Sequence, residues 1–212
     1  METIFTWLGN AVYVALALLA LWGAYCVIMV WIRVGRKRFR TEQAQVEFLS
    51  AMYEPLSQGD FDTAWELSAG DPRAMCQLSN LAIENRQLGY AKTKQLVADR
   101  FQQDVLSDLE YRLDWVNTVI KSAPMVGLLG TVMGMMGAFA KLASATGGVN
   151  AAELAKDIQF ALITTACGLT IAIPLVLATA SINIRMKKME DLVSGGLNQF
   201  FEMFKDAIGS RA

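Results

Sequence analysis

Three of five threonines in two uncharged, mostly apolar stretches could do chemistry. Thr131 lies in the stretch 122–140, and Thr164 and Thr165 lie in the stretch 158–184. A hydroxyl in such a place can bond a carbonyl of its own helix. It can also present an oxygen to a carboxylate or a cation that passes beside it. The surroundings point to the second use. Residues 123–139 read APMVGLLGTVMGMMGAF, with Gly127, Gly130, Gly134 and Gly137 at steps of 3, 4 and 3. At about 100° per residue these glycines share one helix face with Thr131 and Ala138. Met125, Leu128, Met133 and Met136 take the opposite face. One side is thus stripped of side chains, which lets another backbone approach closely. The stretch 158–184 repeats the device. Ala161, Thr165, Gly168, Ala172 and Thr179 share a face, with Thr164 at its edge and Asn183 at its inner end. Pro174 frees the Thr170 carbonyl, which some neighbouring group must satisfy.

Other chemistries have little to build on. The chain of 212 residues has no histidine, so histidine dyads, triads and metal ligands are excluded. Cys26, Cys76 and Cys167 have no CxxC spacing and read as reduced, buried small side chains. There is no nucleophile–base set, metal cluster or phosphate loop, so an enzyme is not expected and neither is a cofactor. A net charge of −1 argues against a nucleic-acid binder.

The elements that hold these faces follow from charge and length. The stretch 122–140 has 19 residues, about 28 Å of helix, which just spans a bilayer core of roughly 30 Å. Stretch 158–184 has 27 residues, and stretch 3–32 has 30. The beginning, METIFTWLGN, lacks a basic n-region, and its apolar run is too long for a signal peptide. It reads as an uncleaved first span over about residues 9–32, with Trp7 and Trp31 as interface anchors. Arg33, Arg36, Lys37, Arg38 and Arg40 follow at once, and Arg185, Lys187 and Lys188 follow the last apolar run. Both clusters mark the cytoplasmic side. Between 41 and 121 there are 13 acidic and 7 basic residues. Val46, Leu49 and Tyr53, then Phe61, Trp65 and Leu67, recur at helical spacing. Asp60 and Asp71 are candidate N-caps. From Ala91, a stripe of Val97, Phe101, Val105, Leu109, Leu113, Val116 and Ile120 predicts one long helix that enters the membrane, with Pro124 as a candidate kink. Gly147, Gly148 and Asn150 mark an outer turn. The tail 189–212 is amphipathic and either extends the third helix or lies on the membrane surface.

No charge falls inside an apolar run, so an ion path would need a carboxylate from elsewhere. The simplest inference is that the small-residue faces line a space filled by a partner's helix. At this point a resemblance becomes specific. APMVGLLGTVMGMMGAF resembles the second-span signature of the ExbB/TolQ/MotA family. IQFALITTACGLTIAIPLV is similar to its third-span signature at Thr165, Gly168, Leu169, Ala172, Ile173 and Pro174. The ExbB/TolQ-like branch fits better than the longer, four-span MotA. One position departs: Phe160 stands where ExbB-like proteins often carry a glutamate.

The resemblance implies the motor or stator subunit of an inner-membrane complex that converts proton or sodium motive force into mechanical work. It implies a homo-oligomer, a pentamer in the family, around an ExbD/TolR-like single-span partner whose intramembrane Asp carries H+ or Na+. Thr131 and Thr165 match the family's pore hydroxyls, with Thr164 as a further oxygen. Gly127, Gly130, Gly134, Gly137, Ala161, Gly168, Ala172 and Pro174 are the expected packing and partner-binding positions. The expected fold is an all-α integral membrane protein, with three transmembrane helices extending into a cytoplasmic helical domain. Its parts are an outer N-terminus and first span (1–32), a cytoplasmic domain (33–121), a second span (122–141), an outer loop (142–157), a third span (158–184) and a cytoplasmic C-terminal helix (185–212). The expected home is the bacterial inner membrane, in contact with lipid, N-terminus out and C-terminus in. The alternatives are a passive oligomeric scaffold and a small channel acting alone.

Overall fold

A computed structural model describes residues 2–39, 41–144 and 151–209. Arg40 and the turn expected at Gly147, Gly148 and Asn150 lie outside the described residues. Within them the chain is helical, without strands. Helix α1 is Glu2–Lys37, α2 is Glu42–Ser57, α3 is Phe61–Ser68 and α4 is Ala74–Glu84. A 3-10 turn, Arg86–Leu88, leads into α5, Tyr90–Arg100. A π-helical segment, Phe101–Leu106, joins α5 to α6, Ser107–Ser144. Helix α7 is Ala151–Gly209, so the amphipathic tail continues the third long helix. The segments Gly9–Lys37, Tyr90–Ala143 and Ala151–Ile208 are each long and apolar enough to cross a membrane.

The chain divides into two compact units, with the divisions falling inside the long helices. One comprises Met1–Met29 and Arg112–Ser181. Here α1, α6 and α7 bury Val12, Leu16 and Met133 together, and further along Val116, Val119 and Leu175. Met133 therefore does not share the open face of Met125, Leu128 and Met136, because α1 covers it. At Gly23 an added Cβ would come within 2.7 Å of Leu175 Cδ1 and 3.0 Å of Val119 Cγ1, so all three helices meet there.

The other unit comprises Val30–Tyr111 and Ile182–Ala212. Phe200, Phe201 and Phe204 of α7 pack among themselves and against Phe61 and Tyr90. The buried face of α2 is Gln45, Leu49, Met52 and Leu56. Val46 and Tyr53, expected on that face, instead line an open groove with Gln199 and Met203. The apolar spacing of α2 was ambiguous because Gln45, a polar residue, takes a core place by donating to the Leu192 carbonyl at 2.6 Å. Trp65 and Leu67 are exposed, whereas Phe61 is buried. Asp60 caps α3, accepting from the Thr63 amide at 3.1 Å. Asp71 does not cap α4, whose N-cap is Arg73. Its carboxylate is taken by the Arg73 amide and guanidinium, and that guanidinium lies 3.9 Å from the Phe39 ring.

The π segment has a cause in the sequence. Val97, Phe101, Val105, Leu109 and Leu113 recur every four residues, and all are buried. In a 3.6-residue helix such a face drifts by about 40° per step, roughly 160° over the four steps. A wider π turn absorbs the excess and keeps the stripe on one side.

Candidate functional site: a hydroxyl cluster between two closely packed helices

The glycine face of α6 and the small-residue face of α7 close directly on each other. A Cβ on Gly127 would sit 2.7 Å from the Thr164 carbonyl oxygen, and one on Gly168 would sit 2.6 Å from that of Ala123. Backbone touches backbone at both places, and no side chain larger than hydrogen fits. Gly130 opens onto the Thr164 side chain, and Gly134 onto buried Ala161. Ala172 is buried as well. The small-residue positions expected to pack helices closely do so between α6 and α7. Gly127, Gly130, Gly134 and Gly168 are filled by the chain itself, because two stripped faces on antiparallel neighbours complement one another better than either complements a bulky helix. Gly137 is different: among the described residues only Asp157 Oδ2 is near, at 4.0 Å. Pro174 lies inside α7 and is exposed.

The close approach brings three hydroxyls and two carbonyls together. Thr131 Oγ1 hydrogen-bonds Thr165 Oγ1, and lies 3.1 Å from the Ala161 carbonyl and 3.3 Å from its own i−4 carbonyl, Gly127. Thr165 Oγ1 donates to Gly127 O at 3.2 Å. Thr164 is fully buried, with Oγ1 at 2.9 Å from Ala161 O and 3.2 Å from Gly127 O. Three protons thus meet two carbonyls and one hydroxyl pair, so each hydroxyl is satisfied without outside help. Thr131 and Thr165 are only half-buried and keep acceptor capacity toward the outside. Thr164 is enclosed between the two helices.

Near the C-terminal end of α6 and the N-terminal end of α7, Lys141 Nζ and Asp157 Oδ2 form an ion pair at 2.8 Å. Neither residue is among the candidates that the sequence singles out. The signal was present: Asp157 lies four residues before Ala161, and Lys141 four after Gly137, so each extends its small-residue stripe by one turn. Phe160 sits edge-on to Tyr13, with centroids 5.4 Å apart.

The basic clusters are only partly engaged. Arg33 pairs with Asp108 at 3.0 Å, and Lys37 donates to Gln77 at 2.8 Å. Arg185 stacks 3.9 Å over Trp31. Arg36, Lys187 and Lys188 are exposed, and Arg38 is half-buried. Cys26, Cys76 and Cys167 are free thiols. No cluster of metal-binding side chains occurs among the described residues.

Curated proteins resemble part of this chain. The biopolymer transport protein ExbB-like 2 of Helicobacter pylori is 41% identical over 86 residues, 41% of this chain and 55% of that protein. The Tol-Pal system protein TolQ of Haemophilus influenzae is 36% identical over 95 residues, 45% of this chain and 41% of that protein. The biopolymer transport protein ExbB of Xanthomonas campestris is 41% identical over 97 residues, 44% of this chain and 36% of that protein. The chain thus spans about half or less of the length of these curated relatives. The model of the MotA/TolQ/ExbB proton channel family matches residues 80–194, more than half of the chain and all of the α6–α7 contact. The packed helix pair and its hydroxyls therefore sit within the matched region, and this multi-pass membrane protein belongs to the MotA/TolQ/ExbB proton channel family.

Proposed function

We propose that the chain is the channel and motor subunit of an inner-membrane complex, driving a single-span ExbD/TolR-like partner with the proton motive force. The observation that carries this reading is the half-buried hydroxyl pair Thr131–Thr165, held at one station by helices packed too closely to shift. A partner's carboxylate passing that station is neutral when protonated and sits against apolar Met, Leu and Ala side chains. Once charged it needs a hydroxyl or water, because an unpaired carboxylate in hydrocarbon is expensive. Each proton moving down the potential supplies about 2.3 kcal/mol per 100 mV. That energy can bias the partner from one copy's station to the next in a homo-oligomer, of which a pentamer is the expected form. The burial of Thr164 leaves two hydroxyls rather than three, which suits a proton better than a sodium ion with its several oxygen ligands. The exposed basic residues after α1's apolar run and after 158–184 support an outer N-terminus and an inner C-terminus.

The test is the pair Thr131→Val and Thr165→Val, with Thr→Ser controls, reconstituted with the partner. A hydrogen bond to a charged group is worth about 1.5–3 kcal/mol, so proton flux should fall roughly 10- to 100-fold while assembly persists. The serine variants should keep the flux. Normal flux in both valine variants would leave the scaffold reading, which the closed glycine packing favours.

A further inference from the structure

Helix register carries an inference about the inner half of the helix pair. Along α6, Ala123 lies against Gly168 of α7, and Val119 shares a buried cluster with Leu175. Lys121 lies midway between those two contacts. On α7 the corresponding stretch, 168–175, contains the midpoint of the uncharged run 158–184. On α1 the facing residues are Leu19, Gly23, Cys26 and Val27, all inside the uncharged run 3–32. Lys121 is therefore not at the edge of the apolar layer, where sequence alone put it. It stands at the level where both neighbouring helices are apolar.

Lys121, Thr118 and Asp114 are all exposed, and their spacing of 3 and 4 puts them on one face of α6. At the same level α7 exposes Ile173 and Leu177, and α1 exposes Trp22 and Tyr25. Hydrocarbon suits those faces and is costly for an ammonium and a carboxylate. A further polar atom belongs to this depth. Thr179, one turn inward of Leu175, is buried with no hydrogen-bond partner for its hydroxyl among the described residues. Buried hydroxyls of that kind are ordinarily satisfied by water.

We propose that Lys121, Thr118 and Asp114 line a water-filled inlet that rises from the cytoplasmic side along α6 toward the hydroxyl cluster. The occupant is water with its hydrated ions. Lys121 stands nearest the cluster and Asp114 nearest the mouth, so a proton released at Thr131 and Thr165 meets water within a few helical turns. What the inlet carries rests on the channel reading; its wetness does not.

The experiment uses the full chain with its partner in inverted membrane vesicles, with Cys26→Ala, Cys76→Ala and Cys167→Ala as background. Cysteines are placed singly as Lys121→Cys, Thr118→Cys and Asp114→Cys, with Ile173→Cys and Leu177→Cys as controls of equal depth. A charged, membrane-impermeant methanethiosulfonate is added from the cytoplasmic side. Thiolates form and react only where water reaches, so the three α6 positions should react at least about tenfold faster than the two controls. Equal, slow rates at all five positions would overturn the inlet, as would reaction of the α6 positions from the outer side alone. Because labelling needs no ion gradient, a wet inlet with unimpaired Thr131→Val flux would sink only the channel assignment of the hydroxyls. Dry α6 positions with impaired flux would sink only the inlet.

Discussion

Gly130 and Gly137 are equivalent in the spacing of α6 and differ in what they face. A methyl at Gly130 would lie 2.6 Å from Thr164 Cβ, on a β-branched side chain that cannot swing away inside the contact. Among the described residues, a methyl at Gly137 meets only Asp157 Oδ2, at 4.0 Å. We expect Gly130→Ala to destabilise the detergent-purified protein by about 1–3 kcal/mol. Gly137→Ala should stay within about 0.5 kcal/mol in the same thermal denaturation. Equal effects would mean that the helices are not packed in this register. Cys76 is a second case where surroundings decide. Burial, with a smaller contribution from Asp71, pushes its thiol up to about 12. At pH 8 it should resist maleimide in the folded protein and react once denatured, and mass spectrometry reads the difference.

Among the elements, the π segment and the start of α4 each make a testable demand. If the π turn exists to hold a four-residue stripe on one side, removing one exposed residue from it should hurt more than altering that residue. Deleting Gln103 turns Val97 and Phe101 by about 100° against Leu109 and Leu113. We expect a loss of at least about 2 kcal/mol, as for several misplaced core side chains. Gln103→Ala should be near neutral, and circular dichroism melting compares the two. At α4, the Arg73 guanidinium holds the Asp71 carboxyl below its ordinary range. A carboxylate whose pKa is lowered in the folded state contributes stability above its unfolded value of about 3.9 and loses it as pH falls through the folded value. The pair is partly exposed, so the contribution is about 0.2–1 kcal/mol. Asp71→Asn should remove that much at pH 7 and progressively less as the pH falls below the unfolded value, and urea titrations across that range measure it.

For the molecule as a whole, the three long apolar helices fix a multi-pass membrane protein, and the basic residues at their ends set the expected orientation. Cysteines placed singly in 41–111 should label only from the cytoplasmic side; labelling from outside intact cells would overturn the three-span arrangement. The closed α6–α7 face also bears on assembly. Since four glycine positions are filled within one chain, the contacts of the proposed oligomer fall on other surfaces. Native mass spectrometry should show Gly137→Leu assembling more normally than Gly130→Leu, whose defect begins inside the subunit.

Much of this was legible in the chain itself. Charge-free runs and the clusters after them marked three apolar helices, because desolvating a charge or an unpaired backbone group is too costly to leave to chance. Glycine spacing marked two faces for close approach, and the hydroxyls on them marked the candidate site. The four-residue stripe from Val97 to Leu113 held the π segment too, though only to a reader who followed its drift. The sequence could not say which surface meets which. Periodicity gives the direction of a face along one helix and is silent about its partner in space. That the glycine faces close on each other, that Thr164 is sealed while Thr131 and Thr165 stay half-open, and that Lys121 stands beside the middle of an apolar run are facts of register between helices. Register is set by the fit of many side chains at once, so only the tertiary structure decided them.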